Sequence, residues 1–245
     1  MPTVALGMLL ACGGPAPTRP PRHDEHAEHA EHAEHAEHAK HARHGEHAEH
    51  GEHGHHRFDD PEEWAERFDA DDRDAWQQPD KVIAALDLAP GMTVADIGAG
   101  TGYLNAHLAR AVGPDGKVLA LDVEPNMVAY MTERAAREGT PQVTARTVAP
   151  DDPGLAPASV DRILVLDTWH HLPDRSTYAA KLAAALRPGG KLVVVDFTED
   201  APDGPPPAMR LSPDEVSAEV APAGLALGGQ VALPHQYVLV YTSKD

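Results

Sequence analysis

The sequence of 245 residues contains a single cysteine, Cys12. One cysteine rules out an internal disulfide and any zinc site built from several thiolates. Aromatic residues make up only 4% of the chain, too few for a platform on which nucleobases stack. Basic residues are scarce as well: 20 Lys and Arg face 39 Asp and Glu, a formal net charge of −19. So acidic a chain is repelled by nucleic acid, and no nucleic acid is expected as substrate or partner. No apolar run approaches the roughly 18 residues that a membrane-spanning helix requires.

What the chain has in excess is histidine, 17 residues, most of them between positions 23 and 56. There they recur every third residue in a near-repeat of His-Ala-Glu. A three-residue step turns about 300° around an α-helix, so the imidazoles wind round the axis and build no apolar face. With almost nothing to bury, residues 23–56 are expected to be a disordered, solvated spacer. The Gly- and Pro-rich residues 13–22 (GGPAPTRPPR) before it read as a linker. Neutral imidazoles flanked by carboxylates suit Zn²⁺, Ni²⁺ or Cu²⁺. His26, His29, His32, His35 and His38 are therefore candidate metal ligands, against the plainer reading of a hydrophilic stalk.

Cys12 follows Leu9-Leu10-Ala11 and precedes Gly13-Gly14. This resembles the lipobox of bacterial lipoproteins, with Met1 to Ala11 supplying a short apolar stretch of the signal-peptide kind. Met1-Pro2-Thr3 departs from the pattern, because it offers no Lys or Arg. The resemblance implies a signal segment over residues 1–12, membrane attachment through a lipidated Cys12, and an extracytoplasmic location. The alternative is a cytoplasmic protein with an incidental thiol.

From Arg57 the texture becomes globular, and residues 57–245 read as one domain. Pro61-Glu62-Glu63-Trp64 has the early proline and acidic first turn of a helix start. Residues 93–97, 117–121, 143–148, 162–166 and 192–197 read as strands. Residues 101–112, 127–138, 176–186 and 212–223 read as helices, and 230–233 with 236–242 as an antiparallel hairpin. Strands alternating with helices of this length predict an α/β fold, a Rossmann-like doubly wound sheet of seven strands, mostly parallel. The continuous apolar run Leu192-Val193-Val194-Val195 suits a strand covered on both faces.

The most informative stretch is Val94-Ala95-Asp96-Ile97-Gly98-Ala99-Gly100-Thr101-Gly102. A strand runs into a glycine-rich turn and then a helix, so backbone N–H groups and the positive end of a helix dipole meet a ligand closely. Asp122, at the end of the next strand, can accept hydrogen bonds from both ribose hydroxyls of an adenosine. The glycines run Gly-x-Gly-x-Gly, not the Gly-x-Gly-x-x-Gly of dinucleotide sites. Asp96, two residues before the first glycine, suits a cationic ligand and would sit poorly beside a pyrophosphate.

On these residues the domain resembles the class I S-adenosylmethionine-dependent methyltransferases of the broad type-11 group, similar to the ubiquinone/menaquinone C-methyltransferases. The supporting stretches are Asp96–Gly102, Asp122, Ser159-Val160-Asp161-Arg162-Ile163, Asp167-Thr168-Trp169-His170-His171-Leu172 and Leu186-Arg187-Pro188-Gly189-Gly190. The resemblance implies S-adenosyl-L-methionine as cofactor and methyl transfer to a small-molecule acceptor. It implies cofactor contacts from Asp96, Gly98, Ala99, Gly100 and Gly102 on one strand end. Asp122, Val123 and Asp167 would contribute from two others. His170 and His171 become the candidates for a catalytic base. Trp64, Trp76 and Gln78 fall in a lid region, Trp169 is either a pocket wall or core, and residues 201–208 form a further wall. The family's acid after the third strand is displaced here, in Ala149-Pro150-Asp151-Asp152. A second function stays open beside the enzyme: a membrane-anchored metal- or ligand-binding protein that retains the methyltransferase fold.

Overall fold

Seven strands hydrogen-bond into one sheet: β1 (Thr93–Ile97), β2 (Lys117–Asp122), β3 (Val143–Thr147), β4 (Val160–Leu166), β5 (Leu186–Phe197), β6 (Leu225–Ala232) and β7 (Gln236–Ser243). Their order is β3-β2-β1-β4-β5-β7-β6. The first five are parallel, and β7 runs antiparallel to both β5 and β6. The fold is thus the α/β, doubly wound, mostly parallel sheet expected, with its antiparallel C-terminal hairpin. The computed structural model describes residues 60–70 and 72–243. The segments 1–12 and 13–56, with Cys12 and the candidate ligands His26, His29, His32, His35 and His38, lie outside the described residues.

Side-chain alternation along the strands supplies both faces of the core. Ala95, Ile97, Ile163, Val165, Leu192 and Val194 pack on one face with α6 (Arg175–Ala185) and α7 (Pro213–Val220). Val94, Leu164, Val193 and Val195 pack on the other with α3 (Pro79–Leu86) and α4 (Asn105–Val112). Burial on both faces is why these strands read as apolar runs. The helices start and stop where their sequences provide caps. α1 (Pro61–Phe68) begins on Asp60, whose carboxylate accepts the Glu62 N–H, and α7 has a reciprocal Ser212–Glu215 capping box. α5 (Pro125–Glu138) ends at Gly139 in the left-handed region. The short α2 (Arg73–Gln77) completes the set.

Several boundaries differ from the sequence reading, among them the start of β6, at Leu225 instead of 230. The helix expected from 101 begins at Asn105, because Gly102 has φ 81° and residues 101–104 remain in turns. β5 begins at Leu186, not 192: Leu186 pairs with Val160, and a register shift absorbs the Pro-Gly-Gly run that reads as a turn. The last helix closes at Val220 and tightens into a 3₁₀ turn over Ala221–Ala223, where Pro222 interrupts the α-helical bonding.

The strand order reverses between β1 and β4. In sheets of this type ligands bind in the crevice at the carboxyl ends beside such a reversal. Here those ends carry Gly98 on one side and Asp167 with Thr168 on the other.

Candidate active site at the carboxyl edge of the sheet

The glycine turn is fixed by its neighbours. Gly98 has φ 68°, and a Cβ on it would fall 2.4 Å from the Thr168 side chain. The turn after β1 and the turn after β4 therefore touch, and glycine is what lets them. Gly98 and Ala99 both donate their N–H to the Leu121 carbonyl, at 2.8 and 3.1 Å. Gly100 N–H donates to Asp122 Oδ2 at 2.8 Å, and Glu124 N–H to Asp122 Oδ1 at 3.0 Å. Backbone N–H groups thus hold both Asp122 oxygens in place, and each carboxylate oxygen can accept more than one hydrogen bond. Val123 beside it is 44% exposed. At the start of α4, Thr101 Oγ1 and Asn105 Oδ1 are buried without a hydrogen-bond partner in the protein.

Asp96 is only 4% exposed. Burial and the charge of Asp122 push its pKa up to about 7, while Arg73 opposes the shift. Burial likewise raises Asp122 against the pull of its backbone N–H donors. Asp167 is pushed up to about 6, chiefly by burial, with Arg73 pulling it down and Asp196 pushing it up. Burial disfavours the charged form of all three carboxylates at this edge, and a cationic ligand beside them would restore it. The residues present therefore fit S-adenosylmethionine, which carries a sulfonium and an ammonium.

Asp167 stands at φ 53°, just past β4, with its N–H donating to Val195 O at 2.9 Å. Its carboxylate is gripped from two sides. Arg73 Nη2 donates to Oδ2 at 3.0 Å, and Gln236 Nε2 donates to Oδ1. Gln77 Nε2 donates to the Gln236 side-chain oxygen, and Arg73 donates to Gln77 Oε1 at 3.1 and 3.4 Å. Arg73 also donates to the Phe68 carbonyl at 2.6 Å and lies 4.0 Å from the Tyr103 ring centroid. An N-terminal segment, the turn after β4 and the start of β7 meet in this network.

His170 lies in a 3₁₀ turn (Trp169–His171) after β4, and its Nδ1 is 2.8 Å from Asp196 Oδ1. Asp196, 1% exposed near the end of β5, also accepts the N–H groups of His170 and Phe197. An ionised carboxylate only accepts, so Nδ1 carries the proton and Nε2 keeps its lone pair. The His171 ring sits 4.1 Å from that of His170. Trp169 is fully buried and its Nε1–H donates to Glu219 at 2.9 Å, so it belongs to the core and walls no pocket. Trp76 stacks on His235 with ring centroids 5.5 Å apart and lies 6.0 Å from the Phe197 ring, an aromatic group from α2, β5 and the β6–β7 turn. Trp64 packs on Phe68, whose ring is the nearest neighbour to Gly100's open side. Gln78 has a buried side-chain oxygen without a partner. Arg210 holds the loop at 201–208 through the carbonyls of Ala201 and Pro205. Of the displaced acids after β3, Asp152 is spent on its own turn, accepting the Gly154 N–H at 2.8 Å.

Sequence reasoning missed Arg73, Gln77, Gln236 and Asp196. Asp196 had a signal, since an acid inside an otherwise apolar buried strand needs a partner. The other three gave none, because their roles arise from contacts across 94 and 159 residues of chain.

Comparison with known proteins agrees with this geometry. Residues 94–190 match the family described as methyltransferase domain. The chain is 31% identical over 143 residues to the arsenite methyltransferase of Halobacterium salinarum, covering 58% of this chain and 36% of that protein. It is 32% identical over 119 residues to a ubiquinone/menaquinone biosynthesis C-methyltransferase of Bordetella parapertussis, covering 49% and 46%. The chain thus spans less than half the length of either relative. The crystal structure of an S-adenosylmethionine-dependent methyltransferase from Aquifex aeolicus superposes with a TM-score of 0.70 at 29% identity, over 74% of this chain and 97% of that one. Residues 94–190 thus match a methyltransferase domain, and the fold is shared with a solved S-adenosylmethionine-dependent methyltransferase.

Proposed function

We propose that the domain transfers the methyl group of S-adenosylmethionine to a small-molecule acceptor whose reacting atom bears a proton. The observation that carries this reading is the pairing, at one sheet edge, of a carboxylate-rich glycine turn with the His170–Asp196 dyad. When bound, the cofactor supplies an electrophilic methyl group on a sulfonium, with a neutral thioether as leaving group. Asp122 would hold the ribose hydroxyls, Asp96 and Asp167 would offset the positive charge, and Val123 would offer the adenine an apolar contact. His170 Nε2 takes the acceptor's proton as the new bond to methyl forms, and Asp196 stabilises the resulting imidazolium. Trp76, His235 and Phe197 give the acceptor an apolar wall, which keeps water from the reacting atoms.

The test is transfer of label from methyl-labelled S-adenosylmethionine across a panel of phenols, hydroquinones and aliphatic alcohols. Label should appear in an acceptor with wild-type protein and fall by about 10²–10⁴ in His170→Ala, the usual worth of a general base. Transfer at the wild-type rate in that variant would remove His170 from the mechanism.

A second reading is favoured by the Cys12 stretch and the histidine tail, both known only as sequence. In it the chain is anchored to the extracytoplasmic face of a membrane by a lipidated Cys12, and the tail captures zinc, nickel or copper. Membrane fractionation beside Cys12→Ser tests the anchor, and a soluble distribution in both defeats it. Zinc titration of full chain against residues 57–245 tests the tail, and equal stoichiometry in the two defeats that part.

A further inference from the structure

The loop that follows β5 is short of hydrogen-bond donors. Pro202, Pro205, Pro206 and Pro207 carry no N–H, so most of residues 202–207 can accept hydrogen bonds but donate none. Arg210 supplies the missing donors. Its Nε donates to Pro205 O at 2.9 Å, its Nη1 to Ala201 O at 2.7 Å and Glu199 O at 3.0 Å, and its Nη2 to Asp203 O at 3.5 Å. Carbonyls of every second residue from 199 to 205 thus converge on one guanidinium, a planar fork whose N–H groups are fixed relative to one another. The loop wraps round a rigid centre, and the prolines restrict its backbone further.

The wrapped loop bears on an aromatic group. Gly204 stands at φ 115°, and a Cβ on it would fall 2.7 Å from the Phe197 ring, so the loop backbone lies directly on that ring. The Phe197 ring lies 6.0 Å from Trp76, and Trp76 lies 5.5 Å from His235. Thr198 closes the circuit, donating its N–H and its hydroxyl to His235 O at 3.0 and 3.2 Å.

Resting on the proposed methyl-transfer reading, we infer that Arg210 is the positioning residue of the acceptor wall. By gathering the loop's carbonyls it seats Gly204 on Phe197, and so sets where Phe197, Trp76 and His235 meet an acceptor. The glycine turn and Asp122 lie outside this chain of contacts, so acceptor binding depends on Arg210 and cofactor binding does not. Lysine would keep the charge, but its donors radiate from one nitrogen and cannot serve four carbonyls spread round a fork.

The experiment uses the full chain labelled with 5-fluorotryptophan, which reports Trp64, Trp76 and Trp169 as separate ¹⁹F resonances, with Trp76 assigned through Trp76→Phe. Arg210→Met should shift the Trp76 resonance, leave that of Trp169 in place, and leave the calorimetric affinity for S-adenosylhomocysteine unchanged. With the phenol, hydroquinone or alcohol that takes label from S-adenosylmethionine, the acceptor KM should rise by about tenfold with kcat little altered, the mark of lost ground-state binding. Arg210→Lys should fall between. Gly204→Ala crowds Phe197 without touching the arginine; it should shift the same resonance, and it serves if Arg210→Met does not fold. A Trp76 resonance unmoved in both variants overturns the inference, as does a loss of cofactor affinity as large as the rise in acceptor KM. Wild type that labels no acceptor overturns the methyl-transfer reading and the wall's role with it.

Discussion

The turn after β1 and the turn after β4 meet at Gly98 and Thr168, yet they are built by opposite means. Around the first, the carboxylate of Asp122 is held by backbone N–H groups of Gly100 and Glu124, 22 residues before it and 2 after it. Around the second, Asp167 is held by side chains of Arg73 and Gln236, which come from 94 residues before it and 69 after it. Backbone donors cannot be replaced by substitution, so the first turn offers one fixed constellation for an invariant ligand part. Side-chain donors can be exchanged for other residues or for a ligand's own groups. The second turn is therefore the one whose holding groups substitution can change. The His170–Asp196 dyad lies on that side too, but it is locked by burial, with Asp196 accepting from three groups.

The contrast can be broken first at the contact between the two turns. In Gly98→Ala the added carbon meets Thr168 at 2.4 Å in a backbone region that L-residues rarely adopt. The expected cost is about 2–4 kcal/mol of stability, read by chemical denaturation, together with loss of cofactor binding. A substitution that leaves both unchanged would mean the turns do not depend on each other.

The dyad is sharpened by Asp196→Asn, which swaps an acceptor-only group for one that also donates. The imidazole should then shift its proton to Nε2, visible in the ¹⁵N spectrum of His170. Methyl transfer should fall by about 10²–10³ in kcat with KM little altered. An unchanged tautomer would contradict the assigned orientation.

A smaller effect separates the ligand's needs from the fold's. Asp96, with its pKa pushed up to about 7 in the folded chain from 3.8, binds a proton that the unfolded chain has lost over that window. Stability from this group therefore falls as pH rises from 3.8 to about 7 and stays flat above. A cationic ligand needs the ionised form, so affinity for S-adenosylmethionine should rise by about tenfold from pH ~6 to pH ~8. Asp96→Asn should remove most of that rise and stabilise the ligand-free protein near pH ~8, as read by thermal melts. An affinity that is flat with pH would deny Asp96 its place beside the cation.

What the sequence makes legible follows the same division. Val94 to Gly102 announces strand, turn and ligand in consecutive residues, and Asp122 is found by its place at the next strand end. The parallel core is legible because both faces of β4 and β5 are covered, so their residues are apolar without alternation. Arg73 carries no such signal. It sits in a helix of five residues, and only the folded chain brings it to Asp167. Trp169 illustrates a related limit. Its neighbourhood to His170 reads equally as pocket or core until Glu219 is seen to take its indole N–H. The start of β5 was hidden because proline and two glycines ordinarily mark a turn, whereas here a register shift against β4 accommodates them.

The central claim is that the glycine turn and Asp122 form an S-adenosylmethionine site, and calorimetric titration of the protein with that cofactor tests it most directly. Binding at micromolar concentration, weakened by about 100-fold in a folded Asp122→Ala variant, is the predicted result. A folded wild-type protein that gives no heat of binding, or an Asp122→Ala variant that binds as well as wild type, would contradict it.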